Sequence, residues 1–262
     1  MLRALWTAAS GMVAQQHNID IISNNLSNVN TTAFKKSRAE FQDLLYQVIR
    51  PAGITNNFGT QYPTPIEIGH GVRLAATTKS FLQGSPVETN NPFDLTIQGD
   101  GFFMVQLPNG QIAYTRDGSF KIDNQGNLVN SNGYLVQPDI VIPVEAQRVA
   151  ILENGDVMVS LVNETDAQLV GQIRTVKFAN PTGLESIGNN LYAETEASGQ
   201  PIEGVPGYDG YGSILQGYLE SSNVKVVEEM INLITSQRAY EINARAIQTS
   251  DDMLGIANDL KR

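Results

Sequence analysis

Small and apolar residues recur in steps of three and four at both ends of this chain. That spacing constrains the fold more than any other feature. Near the N-terminus the series runs Leu2, Leu5, Ala9, Met12, Gln16, Ile19, Ser23 and Leu26. This is heptad spacing, the pattern of a helix that turns one stripe toward a partner. Trp6 and Val13 lie beside the stripe and widen it. The Asn-rich run from Asn24 to Asn30, followed by Thr31-Thr32, weakens helix propensity, so the helix is expected to fade near residue 30.

The C-terminal run is longer. Thr235, Ala239, Ile242, Ala246, Thr249, Met253, Ile256 and Leu260 form one series. Val226, Met230, Leu233, Gln237, Tyr240, Ala244, Ile247, Asp251 and Leu254 form a second on a neighbouring face. Ser221-Ser222 before Asn223 and Glu228-Glu229 after it mark a helix start. A helix over 223–260 would be about 55 Å long at ~1.5 Å per residue. Two stripes on one helix need more than one partner surface. The N-terminal helix can cover one, which leaves the other exposed in a lone chain. From periodicity alone, an ordinary antiparallel helix pair packed on a core is the alternative.

Between the ends the period changes to two. Short alternating stretches include 94–97, 103–107, 112–114, 157–159 and 174–178. The pairs Asn109-Gly110, Asp117-Gly118, Gln125-Gly126, Asn132-Gly133 and Asn154-Gly155 punctuate them and read as hairpin turns. An antiparallel β region over 85–216 is expected. Residues 46–70, rich in Pro, Gly, Asn and Thr, read as extended, without clear periodicity.

Composition removes several function classes. The chain of 262 residues has no Cys, which excludes thiolate catalysis, Cys-zinc sites, Fe–S clusters and disulfides. Lys and Arg number 17 against 27 Asp and Glu, so a general nucleic-acid binder is excluded for want of positive charge. The charge is also unevenly spread. Residues 1–50 carry five basic and three acidic side chains, residues 51–216 seven and seventeen, and residues 217–262 five and seven. The near-neutral ends favour close approach of like chains, whereas the acidic middle reads as a solvated, mutually repelling surface. No stretch approaches the ~20 apolar residues of a membrane span, and the first residues do not form a cleavable secretory signal.

Candidate chemistry is sparse. Gly99-Asp100-Gly101 lacks the third glycine and the following helix of a phosphate loop, and reads as a turn. Asp123 to Asn127 has no closing Glu for a calcium loop. His17 and His70 have no metal-ligand partners at useful spacing. No catalytic, cofactor-binding or metal residues are assigned. The one basic cluster, Lys35-Lys36-Ser37-Arg38, is expected to pair with a carboxylate face on a neighbouring chain.

The two ends together resemble a known family. Ser10-Gly11-Met12, Asn18-Ile19-Asp20, the run Ser23 to Thr31 and Phe34-Lys35-Lys36 resemble the N-terminal signature of bacterial flagellar rod and hook proteins. Gly217 to Val224, followed by Gln237-Arg238-Ala239-Tyr240-Glu241, resemble the matching C-terminal signature. Tyr114 to Phe120 and Gly126 to Val129 are similar to the family's β domain. Ala33 stands where the family commonly has Gly, which puts the backbone turn there in question.

The resemblance implies an α+β fold. Residues 1–34 and 217–262 would form a coiled-coil-like inner-tube domain, 35–84 an extended β-rich connector, and 85–216 a central antiparallel all-β outer domain. The implied role is a structural subunit of the distal rod, a helical homopolymer that transmits torque from motor to hook. A β-bearing member of the proximal rod, or a non-flagellar adhesin with a helical stalk, is the alternative. Leu5, Met12, Ile19, Leu26, Tyr240, Ile242, Met253 and Ile256 would carry self-assembly. Residues 46–70, with Tyr46, Pro51, Tyr62 and Pro65, would form a rod-specific segment. The implied partners are other copies, proximal rod proteins, hook protein, surrounding ring proteins and the flagellar type III export apparatus, with no nucleic acid and no membrane insertion. The implied location is the periplasm-spanning rod, and no enzyme activity or cofactor is implied.

Overall fold

In the computed structural model, which describes residues 2–53, 61–143, 145–161 and 167–259, a helix stands at each end of a β-rich middle. The first, α1, spans Leu2–Ser27, and the second, α2, spans Val226–Asp259. Neither contains proline, and α2 opens with Glu228 and Glu229 in its first turn, where the helix dipole favours negative charge. The chain divides into two compact units. One comprises 1–27, 37–79 and 225–262, and the other 28–36 and 80–224.

In the first unit the two helices run antiparallel, with Asn18 on α1 bonded to Ser236 on α2. Strand Ser37–Asp43 pairs antiparallel with Val72–Lys79, with a bulge at Glu40/Phe41. The segment read as merely extended is a two-stranded ribbon at its base, because Tyr46–Arg50 pairs antiparallel with Ile66–Gly69.

The second unit is built on a seven-stranded antiparallel sheet. Its order is Glu185–Gly188, Leu191–Ala193, Ile112–Thr115, Phe103–Gln106, Leu135–Gln137, Leu128–Val129 and Lys121–Ile122. A second sheet of three strands holds Ala146–Ile151, Asp156–Leu161 and Gln168–Gln172. The run Phe102-Phe103-Met104-Val105 is buried throughout. Side chains alternate across a strand, so Phe103 and Val105 enter one core with Leu95, Phe120 and Val157. Phe102 and Met104 enter another with Tyr114, Phe178 and Tyr192. Phe102, Tyr114 and Tyr192 meet their aromatic neighbours edge to face, at centroid separations of 4.8–6.1 Å. The central strands are thus covered on both faces, which explains a continuous apolar run where one-sided burial would demand alternation.

Asn109-Gly110, Gln125-Gly126, Asn132-Gly133 and Asn154-Gly155 each join two paired strands, with the glycine at φ between 82° and 85°. Asp117-Gly118 is different. The strands on either side of it pair elsewhere, and Gly118 serves close packing, since a Cβ there would lie 1.8 Å from the carbonyl oxygen of Leu95. Sequence cannot separate these two uses of glycine, because both exclude a side chain.

Candidate assembly surfaces and a buried ion cluster

The helix seam differs from the apolar stripe expected for it. On α1 the buried or half-buried positions facing inward include Ala8, Gly11, Gln15, Asn18, Ile22 and Asn25, one position from the stripe that contains Met12, Ile19 and Leu26. On α2 the buried positions are Glu229, Ser236 and Ser250. Polar and small residues, not the large apolar ones, line much of the contact.

The residues expected to carry self-assembly flank this seam. Leu5, Met12, Ile19 and Leu26 are half-buried. Tyr240, Ile242, Met253 and Ile256 are exposed, Ile242 to 65%. Trp6, Val227, Met230, Ile231 and Ile234 are also exposed, Trp6 to 76%. A run of solvent-facing apolar side chains along two helices is unusual for a chain meant to remain alone.

The ribbon adds a second apolar surface, with Leu45, Tyr46, Val48, Ile49, Ile66 and Ile68 all exposed. Tyr46 lies opposite Gly69. Pro51 and Pro65 are exposed and Tyr62 is half-buried. The Arg50 guanidinium stacks on Tyr62, 3.8 Å from its ring centroid. Residues 54–60 of the proposed rod-specific segment lie outside the described residues.

One member of the basic cluster, Lys35, behaves otherwise than expected. Lys35 does not await a neighbouring chain: its Nζ donates to Oε1 of Glu220 at 2.5 Å and to the Leu82 carbonyl at 2.8 Å. Both side chains of the pair are sealed from solvent, and the same Glu220 oxygen accepts the Gly84 N–H at 2.8 Å. Arg116, also buried, places Nη1 4.0 Å from the other Glu220 oxygen and donates through Nη2 to the Gly99 carbonyl. Burial pushes the Lys35 ammonium below its usual pKa range, and Glu220 offsets part of that displacement.

Asn223 completes the cluster. Its Oδ1 accepts the Lys36 N–H at 2.8 Å, its Nδ2 donates to the Ser80 and Leu82 carbonyls, and its own N–H reaches the Phe34 carbonyl. Ala33 holds the turn in question: it sits at φ 56°, buried, and its N–H donates to the Glu220 carbonyl at 2.8 Å. The backbone therefore keeps a left-handed conformation without glycine. Sequence reasoning missed Lys35, Arg116 and Glu220 as one cluster. The available signal was that each lies in one of three separate signature stretches.

Three family descriptions match separate stretches of this chain. Residues 5–35 match the family described as flagella basal body rod protein. Residues 96–159 match the flagellar hook protein FlgE/F/G D1 domain, and 215–260 the flagellar basal body rod FlgEFG protein C-terminal family. The chain is 54% identical over 264 residues to flagellar basal-body rod protein FlgG of Borreliella burgdorferi, covering 100% of both chains. It is 49% identical to FlgG of Buchnera aphidicola from Acyrthosiphon pisum, over 97% of this chain and 98% of that one. It is 48% identical to FlgG of Caulobacter vibrioides, over 99% of this chain and all of that one. With such kinship along its whole length, the chain belongs to the flagellar rod and hook family, among the FlgG basal-body rod proteins.

Proposed function

We propose that this chain is a structural subunit of the distal flagellar rod, a helical homopolymer that carries torque from motor to hook. The observation that carries the proposal is the set of large apolar side chains on the outer faces of α1 and α2, among them Trp6, Val227, Ile242 and Ile256. Burial against other copies would remove that surface from water at about 25 cal/mol per Å². The terminal helices of neighbouring subunits would then line an inner tube as a coiled-coil-like layer, with Leu5, Met12, Ile19, Leu26, Tyr240, Ile242, Met253 and Ile256 in the packing. The acidic all-β domain would form the outer layer, where like charge discourages lateral bundling.

The apolar ribbon at residues 46–70 would wedge between these layers and stiffen them. Proximal rod proteins and hook protein would cap the two ends, ring proteins would surround the rod, and type III export would deliver subunits across the periplasm. Torque is spread over many contacts, so the role needs no catalytic group.

In a free subunit the helices would be largely unfolded and would order on assembly, when intersubunit burial offsets the entropy of ordering them. Circular dichroism of the full chain, dilute and then polymerised, tests this together with electron micrographs. The expected result is a gain in helix signal as straight, thin tubes appear. A dilute chain that already has the full signal of both helices and forms no tubes would overturn the proposal.

A further inference from the structure

Three layers of small and polar residues cross the α1–α2 seam at heptad spacing. Gly11, Asn18 and Asn25 step along α1 by seven residues, while Asn243, Ser236 and Glu229 step back along α2 by the same seven. Asn18 Nδ2 donates to Ser236 Oγ at 2.8 Å. Asn25, buried, donates to Glu229 Oε2 at 3.3 Å, and Glu229 is itself only 4% exposed. Gly11 leaves room for Asn243, since a Cβ there would lie 2.9 Å from Asn243 Nδ2. Asn25 also fixes the ladder to the following strand. Its amide donates to the Ser37 carbonyl at 2.8 Å and accepts the Ser37 N–H at 2.9 Å.

We infer that these six residues set the register in which each chain's α1 pairs with its own α2. Apolar heptads alone are degenerate, because a slip of seven residues recreates the same greasy contact. A slip here sets Asn25 against Ser236 and takes Glu229 from its amide partner. It also sets Gly11 against the wrong side chain. A buried carboxylate that loses a hydrogen bond costs far more than a shifted methyl group. A polar position within a helix seam is a known way to specify register at some cost in stability. The ladder serves the rod interpretation above, because many identical helices crowded together offer many wrong partners. The register concerns the two helices of one chain, whether they pair before assembly or during it.

The absence of cysteine in the sequence makes cross-linking clean. In the observed register, positions 15 and 239 stand level, whereas 15 and 246 are one heptad out. Full chains carrying Gln15→Cys with Ala239→Cys, or Gln15→Cys with Ala246→Cys, are oxidised after polymerisation and separated by mobility. With the native ladder, the in-register pair is expected to cross-link within the chain about tenfold more than the shifted pair. Replacing two layers by Gly11→Ala, Asn18→Leu, Ser236→Leu and Asn243→Ala should cut that preference below about threefold. The swap Asn18→Ser with Ser236→Asn should keep it.

An undiminished preference in the four-fold variant, or a swap as permissive as that variant, would overturn the inference. If the native chain forms no tubes yet its dilute circular dichroism already carries the signal of both helices, the rod proposal fails. The same comparison in the free chain then judges the ladder by the same two thresholds. A native chain with neither tubes nor helix signal would overturn both. Far-UV circular dichroism confirms for each variant that the β-rich unit is folded.

Discussion

Lys35 and Glu220, 185 residues apart, meet as a sealed ion pair 2.5 Å long. Lys35 lies just after the N-terminal helix, and Glu220 just before the C-terminal one. Arg116, from a strand connection midway between them, adds a third charge 4.0 Å from the same carboxylate. Three distant stretches of sequence thus depend on one carboxylate, which both anchors charges and accepts a backbone N–H from Gly84. Removal of any partner leaves a charge in a place that water cannot reach.

Lys35→Met should therefore destabilise the β-rich unit by about 3–5 kcal/mol, the usual cost of orphaning a buried charge. Adding Glu220→Gln should not recover the loss, because the buried Arg116 guanidinium, 4.0 Å from that carboxylate, then loses its counter-charge. Urea melts followed by the β signal in circular dichroism check both. A loss under about 1 kcal/mol in the single variant would mean the pair is incidental.

Ala33→Gly should stabilise the chain by about 0.5–1 kcal/mol. Ala33 is held at φ 56°, where an L side chain costs roughly 1–2 kcal/mol, and greater freedom of glycine in the unfolded chain returns part of that gain. Ala33→Val should destabilise instead, since a β-branched side chain tolerates this conformation poorly. Thermal melts of both variants give the comparison.

Alkaline pH should loosen the β-rich unit. Burial chiefly, with nearby carboxylates adding to it, raises Tyr114 and Tyr192 from 10.0 to about 12. The folded chain then keeps protons that the unfolded chain has already lost. The stabilisation from these two phenols is complete below pH 10 and disappears as the pH rises toward 12. Tyr192→Phe should flatten that decline in urea midpoints measured across the range. In the ultraviolet titration of the nine tyrosines, two should ionise near pH 12.

Leu45→Ser with Ile49→Ser should change the stability of the free chain by no more than about 0.5 kcal/mol, because both side chains face solvent. In the polymer the same change should soften the tubes, visible as greater curvature in micrographs. Tubes as straight as those of the native chain would show that the ribbon does not act as a wedge.

Much of the architecture was legible beforehand. Helix runs at both ends, a period of two between them and four Gly-containing hairpin turns all follow from local chemistry, which the chain carries wherever it is placed. The fifth turn misled because Gly118 answers to the Leu95 carbonyl, a neighbour 23 positions earlier. The seam misled for a related reason. Apolar heptad spacing singles out Met12, Ile19 and Leu26, while the contact between helices uses Gly11, Asn18 and Asn25 beside them.

By itself the sequence determined which segments become helix and strand, and which side chains are greasy enough to need cover. Period, turn residues and charge are local quantities, and no partner is required to read them. Only the tertiary structure decided that Lys35 would meet Glu220 inside one chain rather than across two, and that polar residues would hold the helix seam. Those choices depend on which distant groups arrive together in a space closed to water. There a carboxylate or an amide must find its complement, and separation along the chain says nothing about where that complement lies.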